Sequence, residues 1–155
     1  MASYGVPEGP EGLLPWSWAH ERLARSRNYW VVTADATGRP HAMPVWGVWD
    51  DDGFAFSCAP DSRKARNMAA NPKIVVTADD TVEVVSVEGS VEVMGGGHTT
   101  FADTYAAKYE PDEAKREAMA GFVLSHAIYR VTPERAFGII EREEEFAQRA
   151  TRWVW

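Results

Sequence analysis

The segment from Phe56 to Met68 holds the residue types best suited to binding an anion. A strand-like run ends there, a turn with Pro60 follows, and Ser62 is placed to cap a helix. The first turn of a helix offers unpaired N–H groups and the positive end of the helix dipole, which favour a bound phosphate. Three cations occupy that turn: Arg63, Lys64 and Arg66. Basic side chains there oppose the helix dipole, so the pattern indicates either a phosphate site or a solvated helix face, and the residues by themselves favour the latter.

A second segment, residues 38–49, could lie beside a planar heterocycle. Pro44 removes a ladder donor from the strand predicted here, which indicates an edge strand or a bulge with free backbone groups. Three of its side chains could flank a flat ring: Met43, Val45 and Trp46. Met and aromatic side chains in a strand are more often part of a core, and that alternative remains open. His41, taken singly, is more typical of a structural histidine than of a catalytic one.

The sequence carries no motif for hydrolysis, nucleoside triphosphate turnover or metal binding. The four histidines stand far apart, and neither a Gly-x-Ser-x-Gly elbow nor a Gly-x-x-x-x-Gly-Lys loop occurs. Three consecutive glycines, Gly95–Gly97, follow a predicted strand and are more typical of a flexible turn than of a ligand loop. We therefore predict no metal site and no hydrolytic centre.

Composition bounds the partners and the compartment. A chain of 155 residues has the length of one domain, and its net charge of −7 argues against nucleic acid and anionic membranes as partners. A single cysteine, Cys58, cannot form an internal disulfide, which favours a reducing compartment. No apolar run approaches the ~18 residues that span a bilayer, and no leader peptide is recognised at the start. We expect a cytoplasmic protein that acts on a small molecule.

Hydrophobic patterning predicts the elements that must position these residues. Residues 1–14 are rich in Gly, Pro and Glu and are predicted to form an N-terminal arm, followed by one domain over residues 15–155. Three helical stretches are predicted, the last interrupted near its proline: residues 15–26, 62–70 and 99–119. Seven strands are predicted: residues 28–34, 40–50, 54–58, 73–78, 81–94, 123–131 and 135–141.

These strands predict a mainly β (α+β) fold. Valines alternate with polar residues from Val85 to Val93, as in an antiparallel strand with one wet face. Helices do not alternate regularly with the strands, so a parallel Rossmann-type sheet is not expected. An antiparallel barrel of six to seven strands with peripheral helices is the natural closed form, because closure removes exposed sheet edges. Two tryptophans in the last three positions, Trp153 and Trp155, are predicted to dock on this chain or on a partner chain.

Three segments in this order carry a family resemblance. They are Tyr29–Thr33, Gly38–Trp46, and Ser62–Met68 with Asn71-Pro72 behind it; the closing Ala150–Trp153 matches small single-domain members. Together they resemble the pyridoxamine 5′-phosphate oxidase-like family of flavin and deazaflavin proteins, over about residues 16–155. Each motif alone is weak, whereas the ordered set is fairly specific for the fold and for a flavin-type site.

The resemblance implies a split β-barrel homodimer with two cofactor sites at the dimer interface. Met43, Pro44, Val45 and Trp46 would lie along the ring system, mainly through backbone contacts. The ribityl and phosphate end of the cofactor would be held by Ser57, Ser62, Arg63 and Lys64, with Arg66 and Asn67 near enough to assist. Trp153 of the partner subunit would border the ring. With this resemblance, the phosphate interpretation of the basic cluster becomes the preferred one.

The sequence departs from the family pattern at the C-terminus. Oxidases of pyridoxamine or pyridoxine phosphate carry an Arg-x-His substrate motif there, and this chain has Arg149 and Arg152 without such a histidine. Vitamin B6 oxidation is therefore not expected. The chain looks like the deazaflavin (coenzyme F420) dependent reductases, in which a third cation could meet the acidic tail of the cofactor. We predict an F420-dependent oxidoreductase that transfers a hydride to a small conjugated organic substrate. An FMN-dependent oxidoreductase, a non-catalytic flavin-binding module and a cofactor-free interaction domain are the alternatives.

Overall fold

A computed structural model describes residues 12–51 and 53–155 of the chain. Over these residues the chain forms four helices and eight strands. The helices are α1 (Trp16–Arg25), α2 (Arg63–Ala70), α3 (Thr99–Tyr109) and α4 (Glu113–Leu124). The strands are β1 (Tyr29–Ala34), β2 (Pro40–Val45), β3 (Gly47–Asp50), β4 (Gly53–Cys58), β5 (Lys73–Ala78), β6 (Glu83–Val93), β7 (Ala127–Ile140) and β8 (Thr151–Val154).

All of the strands belong to one antiparallel sheet that curls into a half-barrel. Its order is β2-β1-β5-β6-β7-β4-β3, and β8 pairs with the far end of β7. The strands at the two ends of this path, β2 and β3, are consecutive in the chain and separated by Trp46 alone. One residue can join the two ends of a seven-strand path only if the sheet curls round on itself. The predicted antiparallel barrel is therefore confirmed in the coarser form of a curled half-barrel with four helices.

The sheet folds because apolar side chains alternate along its strands. On β6, Val85, Val87 and Val91 are buried, whereas the polar residues between them are half-buried. They join buried aromatic and aliphatic side chains inside the half-barrel, among them Tyr29 and Phe54. Burying each such side chain contributes about 1.5–3 kcal/mol, so this alternation fixes which face of the sheet turns inward.

A second apolar cluster lies on the outer face of the sheet, beneath α3. Three aromatic side chains of α3 recur every four residues and so share one helix face: Phe101, Tyr105 and Tyr109. They pack against Val48 of β3, Ala55 of β4 and Ile128 of β7. This cluster fixes α3 across β3, β4 and β7.

The strand count and three element bounds differ from the sequence-based expectation. The strand predicted over residues 40–50 is two strands, because the chain leaves β2 at Trp46 and joins the other end of the sheet at Gly47. The strands predicted over 123–131 and 135–141 form one strand, β7. This strand continues past Pro133 because a β-bulge places one extra residue of β7 opposite Glu88 and Gly89 of β6. Residues 123–124 end α4 instead of beginning a strand. The predicted interruption of the helical stretch 99–119 near Pro111 is confirmed, because α3 ends at Tyr109 and α4 begins at Glu113.

The C-terminal tail docks on its own chain as an eighth strand, β8, which was not predicted as a strand. Trp153 packs against Trp16, with ring centroids 5.5 Å apart, and lies directly over Gly138. The Leu14 N–H donates to Thr151 Oγ1 at 2.9 Å and thus joins the start of the described chain to β8. Most of the predicted arm, residues 1–14, lies outside the described residues.

Candidate functional site

A cleft of about 470 Å³ lies where four elements converge. The ends of β2 and β4, the start of α2 and the middle of α3 form its walls. Six of the eleven residues predicted for the cofactor site line it: Pro44, Val45, Trp46, Ser57, Ser62 and Lys64. They come from three sequence segments, so the fold brings together what the sequence could only suggest separately. The volume falls within the ~300–1,000 Å³ range of small-molecule sites.

One wall of the cleft is flat and apolar. Pro44 and Val45 close β2, an edge strand whose only strand partner in the described chain is β1. The indole of Trp46 stacks on the ring of Tyr109 with centroids 4.6 Å apart and planes 5° apart, and 39% of Trp46 remains exposed. The ring of Tyr105 lines the cleft next to this stack. Such a wall can receive one face of a planar ring system.

The opposite end of the cleft is the start of α2. Ser62 caps this helix, because its Oγ accepts a hydrogen bond from the Ala65 N–H at 3.2 Å. Lys64 is half-buried and faces the cleft, whereas Arg63 is exposed on the first turn. Cationic side chains together with a helix N-terminus form an arrangement that can hold a phosphate group.

Two further residues of α2 are already engaged by this chain. Arg66 Nη1 donates to the Asp61 carbonyl at 2.5 Å, which holds the third cation back against the loop before the helix. Asn67 is buried, and its Nδ2 donates to Thr33 Oγ1 at 3.0 Å. This contact fastens α2 to β1, so the Asn67 side chain lies on the core side of the helix and away from the cleft.

Ser57 and Cys58, at the end of β4, also line the cleft. Cys58 Sγ is 3.5 Å from Ser62 Oγ. Burial raises the pKa of the Cys58 thiol, although Ser62, Lys64 and Tyr129 partly offset the rise. Burial also raises the pKa of Tyr105 to about 12. Both groups are therefore neutral at pH 7, and the walls of the cleft are uncharged apart from its basic end.

His41 lies on β2 near the cations of α2, although the sequence marked it only as a structural histidine. Burial lowers the pKa of His41, and the charges of Arg63 and Lys64 lower it further. Its Nδ1 atom is enclosed and makes no hydrogen bond within the described chain. The imidazole is thus neutral at pH 7. Met43, two residues further along the same strand, is 43% exposed and is not among the described residues that line the cleft.

Two aromatic residues, Trp153 and Tyr105, differ from their sequence-based expectation. Trp153 packs on Trp16 of its own chain and is absent from the described lining of this cleft, so its predicted contact with a cofactor depends on a partner subunit. Tyr105 lines the cleft but was not predicted. The four-residue spacing of aromatic residues in α3 was the signal that could have shown an aromatic helix face. Among the described residues, no group of three or more His, Cys, Asp or Glu side chains could hold a metal ion.

An antiparallel half-barrel of this topology defines the class of split-barrel proteins, and its cleft joins a flat apolar wall to a basic helix start. The sequence pattern of the Pyridoxamine 5′-phosphate oxidase family matches residues 19–138. The chain belongs to this family. The family resemblance drawn from the three ordered segments is therefore confirmed.

A curated relative and three solved structures are similar to parts of the chain. A Pyridoxine/pyridoxamine 5′-phosphate oxidase from Streptomyces avermitilis is 51% identical over 45 residues, which are 28% of this chain and 20% of the relative. The match thus spans about a fifth of the length of that relative. An F420 reductase superposes with a TM-score of 0.61 at 22% identity, covering 83% of this chain and 98% of its own.

Two other solved structures also superpose on this chain. A conserved hypothetical protein from Mycobacterium tuberculosis superposes with a TM-score of 0.72 at 16% identity, covering 88% of this chain and 91% of its own. HutZ, the heme storage protein from Vibrio cholerae, superposes with a TM-score of 0.57 at 16% identity, covering 74% and 86%. At these identities the solved structures show a shared fold, and two of them carry names that refer to different small molecules, F420 and heme.

Proposed function

We propose that the chain is an oxidoreductase that binds coenzyme F420 in the cleft and transfers a hydride to a small conjugated organic substrate. The observation that carries this proposal is the joining of a flat apolar wall at Trp46 to a basic helix start at Lys64 within one cleft. A flavin or deazaflavin, which pairs a planar ring with a phosphate, matches both ends. When bound, such a cofactor supplies the hydride chemistry, and the protein supplies binding, orientation and exclusion of water.

Residues of this chain divide that work between them. Pro44, Val45 and Trp46 would support the ring, and Ser57 would meet the chain that links ring and phosphate. Lys64 and Arg63 would hold the phosphate with N–H groups at the start of α2. Because the Cys58 thiol and the Tyr105 phenol stay neutral, they add no charge that would oppose an anionic ligand.

The choice between F420 and FMN rests on the third cation. FMN carries one phosphate, which Arg63 and Lys64 could satisfy. F420 adds an acidic tail, and the guanidinium of Arg66, held at the Asp61 carbonyl, is close to the same helix start. This favours F420, and FMN is the alternative cofactor. A non-catalytic flavin-binding module would use the same cleft and would differ only in lacking turnover.

Heme is named as the stored molecule of one structural neighbour, HutZ. All four histidines lie in the described part of the chain, and none of them lines the cleft. An imidazole ligand for heme iron is therefore missing from this cleft, whereas the cations that suit a phosphate are present. This difference favours a flavin-type cofactor.

The homodimer is also proposed, with the cofactor at its interface. On the outer face of β1, Trp30 is 46% exposed and lies across from Pro44 of β2. Val32 lies across from Ala42 on one side and Val75 on the other. This face, which we call the Trp30 face, is apolar, and Pro44 also lines the cleft. A second copy seated on the Trp30 face would therefore border the cofactor site.

Parallel fluorescence titrations with F420, FMN and hemin test the proposal. We expect saturable binding of F420, weaker binding of FMN, and no site-specific binding of hemin. Reduced cofactor in the loaded protein should then be oxidised by a conjugated acceptor, which separates an oxidoreductase from a storage module. Binding of hemin with neither F420 nor FMN binding would contradict the proposal, as would the absence of all three.

A further inference from the structure

The curled sheet has a seam at Gly47, where its two end strands meet without pairing. Within the described chain, β2 pairs with β1 and β3 pairs with β4. Two consecutive side chains of α3 take the place of a neighbouring strand. The Gly47 N–H donates to Tyr109 Oη at 2.9 Å, and the Gly47 carbonyl accepts from Lys108 Nζ at 3.0 Å. We call Lys108 and Tyr109 the Gly47 clasp.

The clasp is a satisfied hydrogen-bond network in a half-buried position. Lys108 Nζ also donates to the hydroxyl of Tyr29 at 2.8 Å. The Tyr109 hydroxyl lies 2.7 Å from the Arg27 carbonyl and 2.8 Å from the Gly47 carbonyl. Its one proton can be donated to either of these two carbonyl oxygens. Removing the ammonium group would leave the Gly47 carbonyl and the Tyr29 hydroxyl short of a donor. The clasp therefore sets where Gly47 lies.

Gly47, which the clasp holds, is adjacent to a residue that lines the cleft. Trp46 is one peptide bond from Gly47, and its indole stacks on the clasp residue Tyr109. The guanidinium of Arg27 lies over the same indole, 5.5 Å from its centroid. The clasp thus acts on Trp46 through the backbone on one side and through the ring stack on the other. No other described wall of the cleft is held by a lysine in this way.

We propose that Lys108 and Tyr109 are positioning residues, which hold Gly47 and thereby fix the indole of Trp46 as the flat wall of the cleft. Their effect on cofactor affinity rests on the proposed function; their effect on Trp46 does not. A purely structural role would lower stability without moving Trp46. The apolar contacts of Phe101 and Tyr105 hold α3 to the sheet separately, so we expect the chain to fold with the clasp open.

Quenching of Trp46 fluorescence by acrylamide in the cofactor-free protein tests the positioning. The chain has seven tryptophans, so the Trp46 signal is the difference between each protein and its Trp46→Phe counterpart. We expect Lys108→Met to make Trp46 more accessible, and Lys108→Arg, which keeps the cation and its donors, to restore most of the protection. Lys115→Met is the matched control, because Lys115 is an exposed lysine on the neighbouring helix. Unchanged quenching in folded Lys108→Met would overturn the proposal.

Cofactor affinity gives a second readout on the same variants. Displacing the ring wall by about 1 Å should weaken F420 and FMN binding roughly 10- to 100-fold in Lys108→Met and leave Lys115→Met unchanged. If Lys108→Met fails to fold, Tyr109→Phe replaces it, because this variant keeps the ring stack and loses only the hydroxyl. Should the wild type bind neither cofactor, the proposed function fails, while the quenching result still decides the role of the clasp.

Discussion

Individual residues near the cleft divide into those that line the cleft and those whose side chains stabilise the fold. Lys64 and Ser62 come from the same helix start, but Ser62 already accepts a hydrogen bond from the Ala65 N–H. Asn67 is three residues beyond Lys64, and its side-chain amide fastens α2 to β1. The distinction depends on the direction of each side chain, which follows from how the helix docks. Lys64 is consequently the residue on which the cofactor hypothesis is best tested.

We expect Lys108 to make the stability of the fold depend on pH in the alkaline range. Burial lowers the pKa of Lys108 from 10.5 to about 8, with Asp79 opposing the fall and Arg27 adding to it. Between these values the unfolded chain binds more protons than the folded one, so this group makes the fold more stable as pH rises from about 8 to 10.5.

Urea unfolding of the wild type and Lys108→Met checks this expectation. The free energy of unfolding of the wild type minus that of the variant should increase with pH across this window, because the variant lacks the titrating amine. Other titrating groups are common to both proteins and cancel in the difference. A difference that falls with rising pH would show that the lysine is stabilised in its charged form.

At the scale of elements, the crossing from β2 to β3 depends on a glycine. A Cβ atom at Gly47 would lie 2.4 Å from the Phe54 ring and 2.7 Å from the Ala55 carbonyl oxygen. Gly47→Ala should therefore destabilise the fold by about 1–3 kcal/mol. Gly121→Ala in α4 meets nothing within 4 Å and should stabilise it by about 0.5–1 kcal/mol. Chemical denaturation compares the two, and equal effects would contradict a close approach at Gly47.

Local sequence patterns were sufficient to predict most of the helices and strands. The alternation from Val85 to Val93 predicted β6, and the Asn71-Pro72 pair predicted the end of α2. The elements that were predicted wrongly depend on residues far away in the sequence. The division of residues 40–50 follows from the curl of the whole sheet, and β8 exists because its residues find Gly138, at the far end of β7. Neither long-range pairing leaves a local signature in the sequence.

The candidate site was predictable to a similar extent. The segments around Met43 and Ser62 were recognised from residue types, and the fold brings both to one cleft. The contribution of α3 was not recognised, because a helix between Thr99 and Tyr109 has no sequence proximity to either segment. The clasp on Gly47 needs three elements in register, which residue patterns do not encode.

At the scale of the whole molecule, the acidic net charge conceals one basic region. The net charge is −7, yet residues 61–66 contain three bases and one acid. Within the described chain, no helix is both long enough and apolar enough to cross a membrane. The Trp30 face is the apolar surface that adjoins the cleft through Pro44. The basic region and the Trp30 face are the two surface features that the proposed anionic cofactor and the proposed homodimer would use.

Trp30→Glu tests the proposed homodimer. A carboxylate in the middle of the Trp30 face would be buried without a partner on association, so we expect a monomer by analytical ultracentrifugation and weaker cofactor binding. Phe122→Glu is the control, because Phe122 is a similarly exposed apolar residue on α4, at 62% exposure. A Trp30→Glu protein that remains dimeric would place the interface elsewhere.

We propose that Lys64 holds a cofactor phosphate in the cleft, and the cofactor hypothesis depends on this contact more than on any other. The most direct measurement compares the affinities of wild type, Lys64→Ala and the control Lys115→Ala for F420, FMN and riboflavin, which lacks the phosphate. Loss of one charge-assisted hydrogen bond, about 1.5–3 kcal/mol, should weaken F420 and FMN binding to Lys64→Ala roughly 10- to 150-fold and leave riboflavin binding unchanged. Equal affinities of wild type and Lys64→Ala for both phosphate-bearing cofactors would contradict the account.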